Sequence, residues 1–193
     1  MNTQTLHRQR TENILLSLRT LDYLTRSQIQ TIHNLKSDRN ANRVLQSMDE
    51  YLSSFRNGLE KVYYLNKKGR ERVGATVVRK RTANVNHFLL RNQLYIFLGY
   101  PRTWKNEQRI KLGDTSIVCD AIFQMENIRC FVEVDCSQSM EKNKRKIEKY
   151  RTFQKKGQKF NLIWVTELKS RKPKLERLCE GLSVAVHSAD EIR

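Results

Sequence analysis

The first third of the chain carries apolar residues at the spacing of a helix. Ile14, Leu15, Leu18 and Leu21 recur at intervals of three and four, which predicts a helix over residues 12–24. Thr25 and then Ser37 each precede another helical stretch and are suitable N-caps, so we expect helices over 26–35 and 38–52. The third helix buries one face, formed by Ala41, Val44, Leu45, Met48 and Leu52.

A hairpin signal follows these helices. Asn57–Gly58 lies between two strand-like runs that together cover residues 53–65, and this dipeptide favours a tight β-turn. Three short helices and a hairpin occur in this order in winged helix-turn-helix proteins, whose third helix enters the major groove of DNA. The pattern therefore predicts a winged helix-turn-helix domain over residues 1–76.

The polar face of the third helix carries the residue types that read base edges in DNA-binding proteins. Arg pairs with guanine, and Asn or Gln pairs with adenine, each through two hydrogen bonds. The alternative is that this face is only the solvated side of an amphipathic helix. The predicted DNA-binding residues are Arg39, Asn40, Arg43 and Gln46 on the helix and Arg56, Asn57 and Lys61 on the hairpin.

The second half has a different pattern. A mostly apolar helix is expected over residues 85–98, and Gly99–Tyr100–Pro101 ends it. Strands are expected over 116–125, 128–135, 161–166 and 182–188, with helices over 140–156 and 173–179. The turn Glu126–Asn127 predicts an antiparallel hairpin, and the helix over 140–156 is long enough to cross to a parallel strand. The fold class is therefore α+β, with a mixed-sheet α/β domain over residues 77–193.

Three carboxylates stand out on the predicted strands of this second domain. Asp120 lies within one strand, and Glu133 and Asp135 are two residues apart on the next, so that they project from one face. Converging carboxylates suit Mg²⁺ and phosphodiester cleavage. The metal-ligand candidates are Asp120, Glu133 and Asp135.

The order of these acids resembles the PD-(D/E)xK core of restriction-endonuclease-type nucleases. Cys119 replaces the proline of that core, and Asp135 occupies the position of its lysine. A lysine of the following helix, Lys144 or Lys146, is the remaining candidate for that role. If the site is active, the resemblance implies Asp120, Glu133, Asp135 and Lys146 as catalytic residues. The alternative is that Glu133 and Asp135 pair with lysines of the helix and hold it against the sheet.

Charge points to a polyanionic partner. The net charge is +17 and both halves are basic, which favours binding of double-stranded DNA through its phosphates. Between residues 142 and 159 there are nine basic residues and one acid, and Lys144 and Arg145 are the predicted phosphate contacts there. A soluble protein with solvated basic surfaces is the alternative.

Cysteine spacing and hydropathy limit the cellular context. The cysteines have no C-x-x-C spacing, so we expect reduced thiols and no zinc site. Apolar runs are shorter than the roughly 18–20 residues of a membrane span, and a signal peptide is not apparent. We expect a cytoplasmic, DNA-associated protein without a membrane partner.

Both halves together resemble the bacterial replication-relaxation proteins of plasmids and other mobile elements. The segments that carry this resemblance are VYYLNKKGRERV, HFLLRNQLYIFL, CDAIF, FVEVD and KIEKY. The resemblance implies a winged helix joined to a nuclease-like domain, and DNA binding in replication or transfer. It also marks His87, Asn92, Asp120, Glu133, Asp135, Lys146 and Tyr150 as recurring positions. For His87, a hydrogen-bonded structural role is the alternative to catalysis.

The leading functional hypothesis is sequence-specific binding of double-stranded DNA in replication, relaxation, transfer or transcriptional control. DNA binding itself requires no cofactor. One alternative is a Mg²⁺-dependent endonuclease that the winged helix directs to its target. The other is an assembly factor whose second domain is an interaction or homodimerisation module.

Overall fold

The computed structural model describes residues 3–136 and 138–193, which form two compact units. Unit 1 ends at Leu89 and unit 2 comprises Leu90–Arg193. The division falls later than residue 76 because the connecting segment packs on unit 1. There the Tyr23 hydroxyl donates a hydrogen bond to the Lys80 carbonyl at 2.6 Å, and Val85 is buried beside Tyr23.

The described residues form seven α-helices and eight β-strands. The helices are α1 (Thr3–Leu21), α2 (Arg26–Ile32), α3 (Asp38–Gln46), α4 (Lys67–Val73), α5 (Val85–Phe97), α6 (Met140–Lys155) and α7 (Lys172–Leu178). The strands are β1 (Leu24–Thr25), β2 (Leu52–Asn57), β3 (Glu60–Leu65), β4 (Lys105–Leu112), β5 (Thr115–Met125), β6 (Ile128–Asp135), β7 (Phe160–Thr166) and β8 (Val184–Ser188).

The predicted helix caps of unit 1 are confirmed. The Thr25 side chain accepts a hydrogen bond from the Gln28 N–H in a capping box, and that of Ser37 accepts from the Asn40 N–H. Both helices end earlier than expected. Asn34 and Lys36 take positive φ after α2, which breaks the helical path, and α3 gives way to a turn after Gln46.

The hairpin is confirmed, but its turn is displaced by one residue. Asn57 pairs with Glu60 across the strands, so the two turn residues are Gly58 and Leu59. Gly58 has φ +60°, which places glycine at the first central position of a type II′ turn. Strands β2, β3 and β1 form an antiparallel three-stranded sheet with β3 in the centre.

The sequence pattern missed helix α4, which depends on a contact distant in the sequence. Asn66 caps it by accepting a hydrogen bond from the Gly69 N–H at 3.0 Å. Gly69 lies against the backbone of Tyr51, and a Cβ at this position would stand 2.2 Å from the Tyr51 carbonyl oxygen. Position 69 therefore accepts only glycine without movement of the backbone.

Unit 2 is built on a five-stranded mixed sheet in the order β4-β5-β6-β7-β8. Strand β5 is antiparallel to both of its neighbours, β4 and β6. Strands β6, β7 and β8 are parallel, and α6 connects β6 to β7. The predicted turn is confirmed, since Glu126 and Asn127 both have positive φ. The α+β class and the mixed sheet are therefore confirmed.

Strand β4 was not predicted because only two of its four inward-facing side chains, Ile110 and Leu112, are apolar. Its exposed positions alternate with half-buried ones, but Asn106 and Gln108 occupy two of the latter. Its charged exposed side chains, such as Lys105 and Arg109, are typical of an edge strand.

The core of unit 2 lies between the sheet and α6. Phe131 and Trp164 from the sheet pack in one buried cluster with Ile147, Tyr150 and Phe153 from α6. Among residues 3–136 and 138–193, no helix has both the length and the apolar composition for a membrane span.

We expect Gly69→Ala to lower the free energy of unfolding of unit 1 by about 1–3 kcal/mol, because the added methyl group meets a backbone oxygen. Urea denaturation followed by circular dichroism measures the loss. Gly74→Asn is the matched control, since Gly74 has φ +60° with open space around it, and asparagine tolerates that conformation. Equal losses in the two variants would contradict the packing argument.

Candidate functional site

Two carboxylates are completely buried on strand β6, beneath helix α6. Glu133 and Asp135 both have 0% exposure, and Asp120 on the neighbouring strand is half-buried. A buried carboxylate needs hydrogen bonds and a compensating charge.

Glu133 binds two side chains of α6, one on each carboxylate oxygen. The Tyr150 hydroxyl donates a hydrogen bond to Oε1 at 2.5 Å, and the Lys146 ammonium donates to Oε2. Burial raises the pKa of Glu133 well above its usual range, and the nearby Asp120 charge acts in the same direction. Burial lowers the pKa of Lys146, but the attraction of Glu133 and Asp120 raises it more, so Lys146 remains an ammonium ion.

Asp135 is held by four donors. Arg171 forms a two-point contact with it, Nε to Oδ2 at 2.5 Å and Nη2 to Oδ1 at 2.9 Å. The Asn143 side-chain amide donates to Oδ1 at 3.0 Å, and the Thr166 hydroxyl donates to Oδ2 at 3.1 Å. Asp135 thus ties β6 to α6, to β7 and to the 3₁₀ turn Lys169–Arg171.

Asp120 lies where β5 and β6 separate. The backbone pairing of the two strands ends at Ala121 and Val132. Beyond that point, the Val134 N–H donates to Oδ2 of Asp120 at 2.7 Å. The Asp120 carboxylate therefore takes the place of a backbone carbonyl as the hydrogen-bond acceptor where the pairing of β5 and β6 ends.

The sequence left two roles open for Glu133 and Asp135, namely metal binding and pairing with lysines of the following helix. Glu133 pairs with Lys146 of α6, as the structural alternative expects, whereas Lys144 is exposed. The partner of Asp135 is Arg171, which the sequence analysis did not consider. Within the described ranges, no three His, Cys, Asp or Glu side chains are arranged to hold a metal ion. The Mg²⁺ site stays a prediction.

The basic surface predicted for unit 1 divides into exposed and structurally committed residues. Asn40 donates to the Leu35 carbonyl at 2.8 Å and accepts from Arg43 at 2.9 Å, and Asn57 donates to Asn86 at 2.7 Å. These two amides stabilise the ends of α3 and β2. The exposed predicted residues are Arg39, Arg43, Gln46, Arg56 and Lys61 in unit 1 and Lys144 and Arg145 in unit 2.

The other predicted positions lie mostly inside the fold. Asn92 is buried and accepts a hydrogen bond from Arg91 Nε at 3.3 Å, and His87 is half-buried with its ring near that of Phe88. All four cysteines are free thiols, and burial raises the pKa of Cys119 to about 12.

The sequence analysis missed Arg171 and Asn143. Asn143 is eight residues from Asp135 and Arg171 is 36 residues away, in a turn whose sequence, Lys-Ser-Arg, has no distinctive pattern. The available signal is an acid on a buried strand for which the following helix offers no lysine at a pairing position. Such an acid indicates a cation from a segment distant in the sequence.

The described geometry defines an α+β protein with a basic helical unit and a mixed-sheet unit whose central strand carries buried, charge-paired acids. The replication-relaxation family matches residues 15–163, and the chain belongs to this family. The name of this family refers to replication and relaxation.

Among solved structures, the protein VC1899 from Vibrio cholerae is similar at 14% sequence identity with a TM-score of 0.42. The match covers 100% of this chain, which spans 55% of the length of that protein. No curated protein matches significantly.

We expect Arg171→Ala to lower the free energy of unfolding of unit 2 by about 3–5 kcal/mol, because it leaves the Asp135 carboxylate buried without its cation. Thermal and urea unfolding of the full chain measure the change. Arg171→Lys should recover only part of the loss, since an ammonium cannot reproduce the two-point contact.

The control for Arg171 is the adjacent residue. Lys172 pairs with Glu191 at 2.7 Å, and both side chains are partly solvated, so Lys172→Ala should cost about 1 kcal/mol or less. If the two alanine variants are equally stable, the buried pair does not organise unit 2.

Proposed function

We propose that the chain is a sequence-specific double-stranded DNA-binding protein of a mobile genetic element. Its role is in replication or relaxation, or in the related steps of transfer and transcriptional control, in the bacterial cytoplasm. The observation that carries the proposal is the exposed polar face of α3.

Helix α3 combines a firmly packed inner face with a cationic outer face. Ala41, Val44 and Leu45 are buried, whereas Arg39 and Arg43 are exposed. The hydrogen bond from Arg43 to Asn40 restrains the guanidinium group without burying it. A restrained, solvated arginine on a rigid helix is suited to contact guanine in the major groove.

The element order of unit 1 supports a winged helix-turn-helix. The order α1, β1, α2, α3, β2, β3 places a short turn between α2 and α3 and a hairpin after α3. In that class of protein, the second helix of the pair enters the major groove and the hairpin lies beside the phosphate backbone. The exposed Arg56 and Lys61 of the hairpin are suited to phosphate contacts.

Unit 2 provides a second cationic surface on α6, where Lys142, Lys144, Arg145 and Lys149 are exposed. These side chains are suited to phosphates, which add affinity without sequence preference. We propose binding without cleavage, because the cations that neutralise Glu133 and Asp135 are protein side chains.

The Mg²⁺-dependent endonuclease remains the second candidate function, because the Lys146 ammonium touches Glu133 next to Asp120. Incubation of supercoiled DNA with the wild type and Glu133→Gln, with and without Mg²⁺, separates the two. Nicking by the wild type that disappears in Glu133→Gln would establish cleavage, and we expect none.

Arg39→Ala and Arg43→Ala should each weaken binding to a selected site by about 1–3 kcal/mol and relax the base preference at one position. A duplex library of random sequence selects the site, and titrations at fixed salt then compare it with unselected DNA. Lys61→Ala should weaken binding to both kinds of DNA alike, because it contacts phosphate.

Arg10→Ala is the matched control, since Arg10 is exposed on α1, away from the proposed reading face of α3. The assignment of α3 fails if Arg39→Ala and Arg43→Ala lose the same affinity for selected and unselected DNA.

A further inference from the structure

The tip of the β2–β3 hairpin presents an apolar side chain to solvent. Leu59 is 97% exposed, and the next most exposed large hydrophobic side chain among the described residues, Val78, is 58% exposed. At this exposure Leu59 contributes almost nothing to the packing of the chain. A polar residue would satisfy the same turn at a lower cost in solvation.

The hairpin holds Leu59 in a defined position. Leu59 is the second central residue of the two-residue turn, directly after Gly58 with φ +60°. The paired residues on either side are both anchored, Asn57 to Asn86 at 2.7 Å and Glu60 to the Ser27 hydroxyl. The tip is therefore a rigid projection.

Cations lie directly behind this tip. Arg56 and Lys61 are opposite each other in the hairpin register, and both are exposed. Like charges at such a pair destabilise a sheet, and a bound anion removes that penalty. Both side chains line a groove of about 270 Å³ beside the hairpin, together with Arg26 and Asn42.

We propose that Leu59 is a wedge that enters the minor groove of DNA and partly unstacks one base step, which bends the duplex. Apolar side chains act in this way in proteins that kink DNA, while basic residues beside them hold the phosphates. The flanking Arg56 and Lys61 favour a polyanion over an apolar protein surface as the occupant. The Glu60 carboxylate, the acid at the tip, is bound to Ser27.

This inference rests on the proposed function and adds to it a mode of contact and a deformation of the DNA. Flexible pyrimidine–purine steps are the easiest to unstack, so a TA step is the preferred point of insertion. A mismatched pair is easier still, because part of its stacking is already lost.

The test uses the full chain and duplexes of about 30 bp that contain the selected site and carry a fluorescence donor and acceptor at their ends. One duplex has a central TA step, one a central G·C-rich step, and one a single central mismatch. We expect the wild type to bend the TA duplex and to prefer the mismatched duplex by about tenfold.

Leu59→Ala should bind the TA duplex about tenfold more weakly, without bending it and without the mismatch preference. Leu59→Met should keep both properties, since methionine is also an apolar wedge. Lys61→Ala should weaken binding to all three duplexes equally while the bend at saturation is unchanged. Thermal unfolding of Leu59→Ala should match the wild type, because Leu59 is not packed.

The outcomes separate the two proposals. A wild type that binds none of the duplexes at about 100 mM salt would overturn DNA binding, and the wedge with it. A wild type that binds without bending would overturn the wedge alone. Bending by Leu59→Ala equal to that of the wild type would also overturn the wedge and leave DNA binding intact.

Discussion

The burial of two carboxylates on strand β6 constrains the whole of unit 2. An ionised acid in a protein interior is costly unless a cation and further donors reach it. Glu133 obtains Lys146 and Tyr150 from α6, and Asp135 obtains Arg171 from beyond β7 together with Asn143 and Thr166. Removal of either cation leaves a buried carboxyl group without its partner, so the sheet, α6 and the turn after β7 depend on one another.

The same contacts explain why a nuclease-like order of acids does not by itself define a metal centre. Both oxygens of Asp135 are occupied by protein donors, and one oxygen of Asp120 accepts a backbone N–H. The acids at the nuclease-like positions join secondary-structure elements to one another here. In this arrangement the positive charges of unit 2 include the half-buried Lys146 and Arg171, which stabilise the fold, and an exposed set on α6.

Unit 1 places its charge differently. Its interior is largely apolar, with Leu15, Leu45 and Val62 almost fully buried, and its arginines and lysines lie largely on the surface. Two amides that were predicted to bind DNA, Asn40 on the helix and Asn57 on the hairpin, have hydrogen bonds within the unit. The guanidinium groups of Arg39 and Arg43 are exposed to solvent on a helix whose other side is packed.

The sequence by itself determined the features that depend on neighbouring residues. Helical spacing from Ile14 to Leu21, the caps Thr25 and Ser37, the two hairpins and the crossover through α6 all follow from local patterns, and all are present. The tertiary structure decided the rest. Helix α4 depends on the fit of Gly69 against Tyr51, and β4 is held by its pairing with β5 although only half of its inward-facing side chains are apolar. Arg171 meets Asp135 across 36 residues. Such contacts join segments that the chain brings together only when folded, and residue spacing carries no record of them.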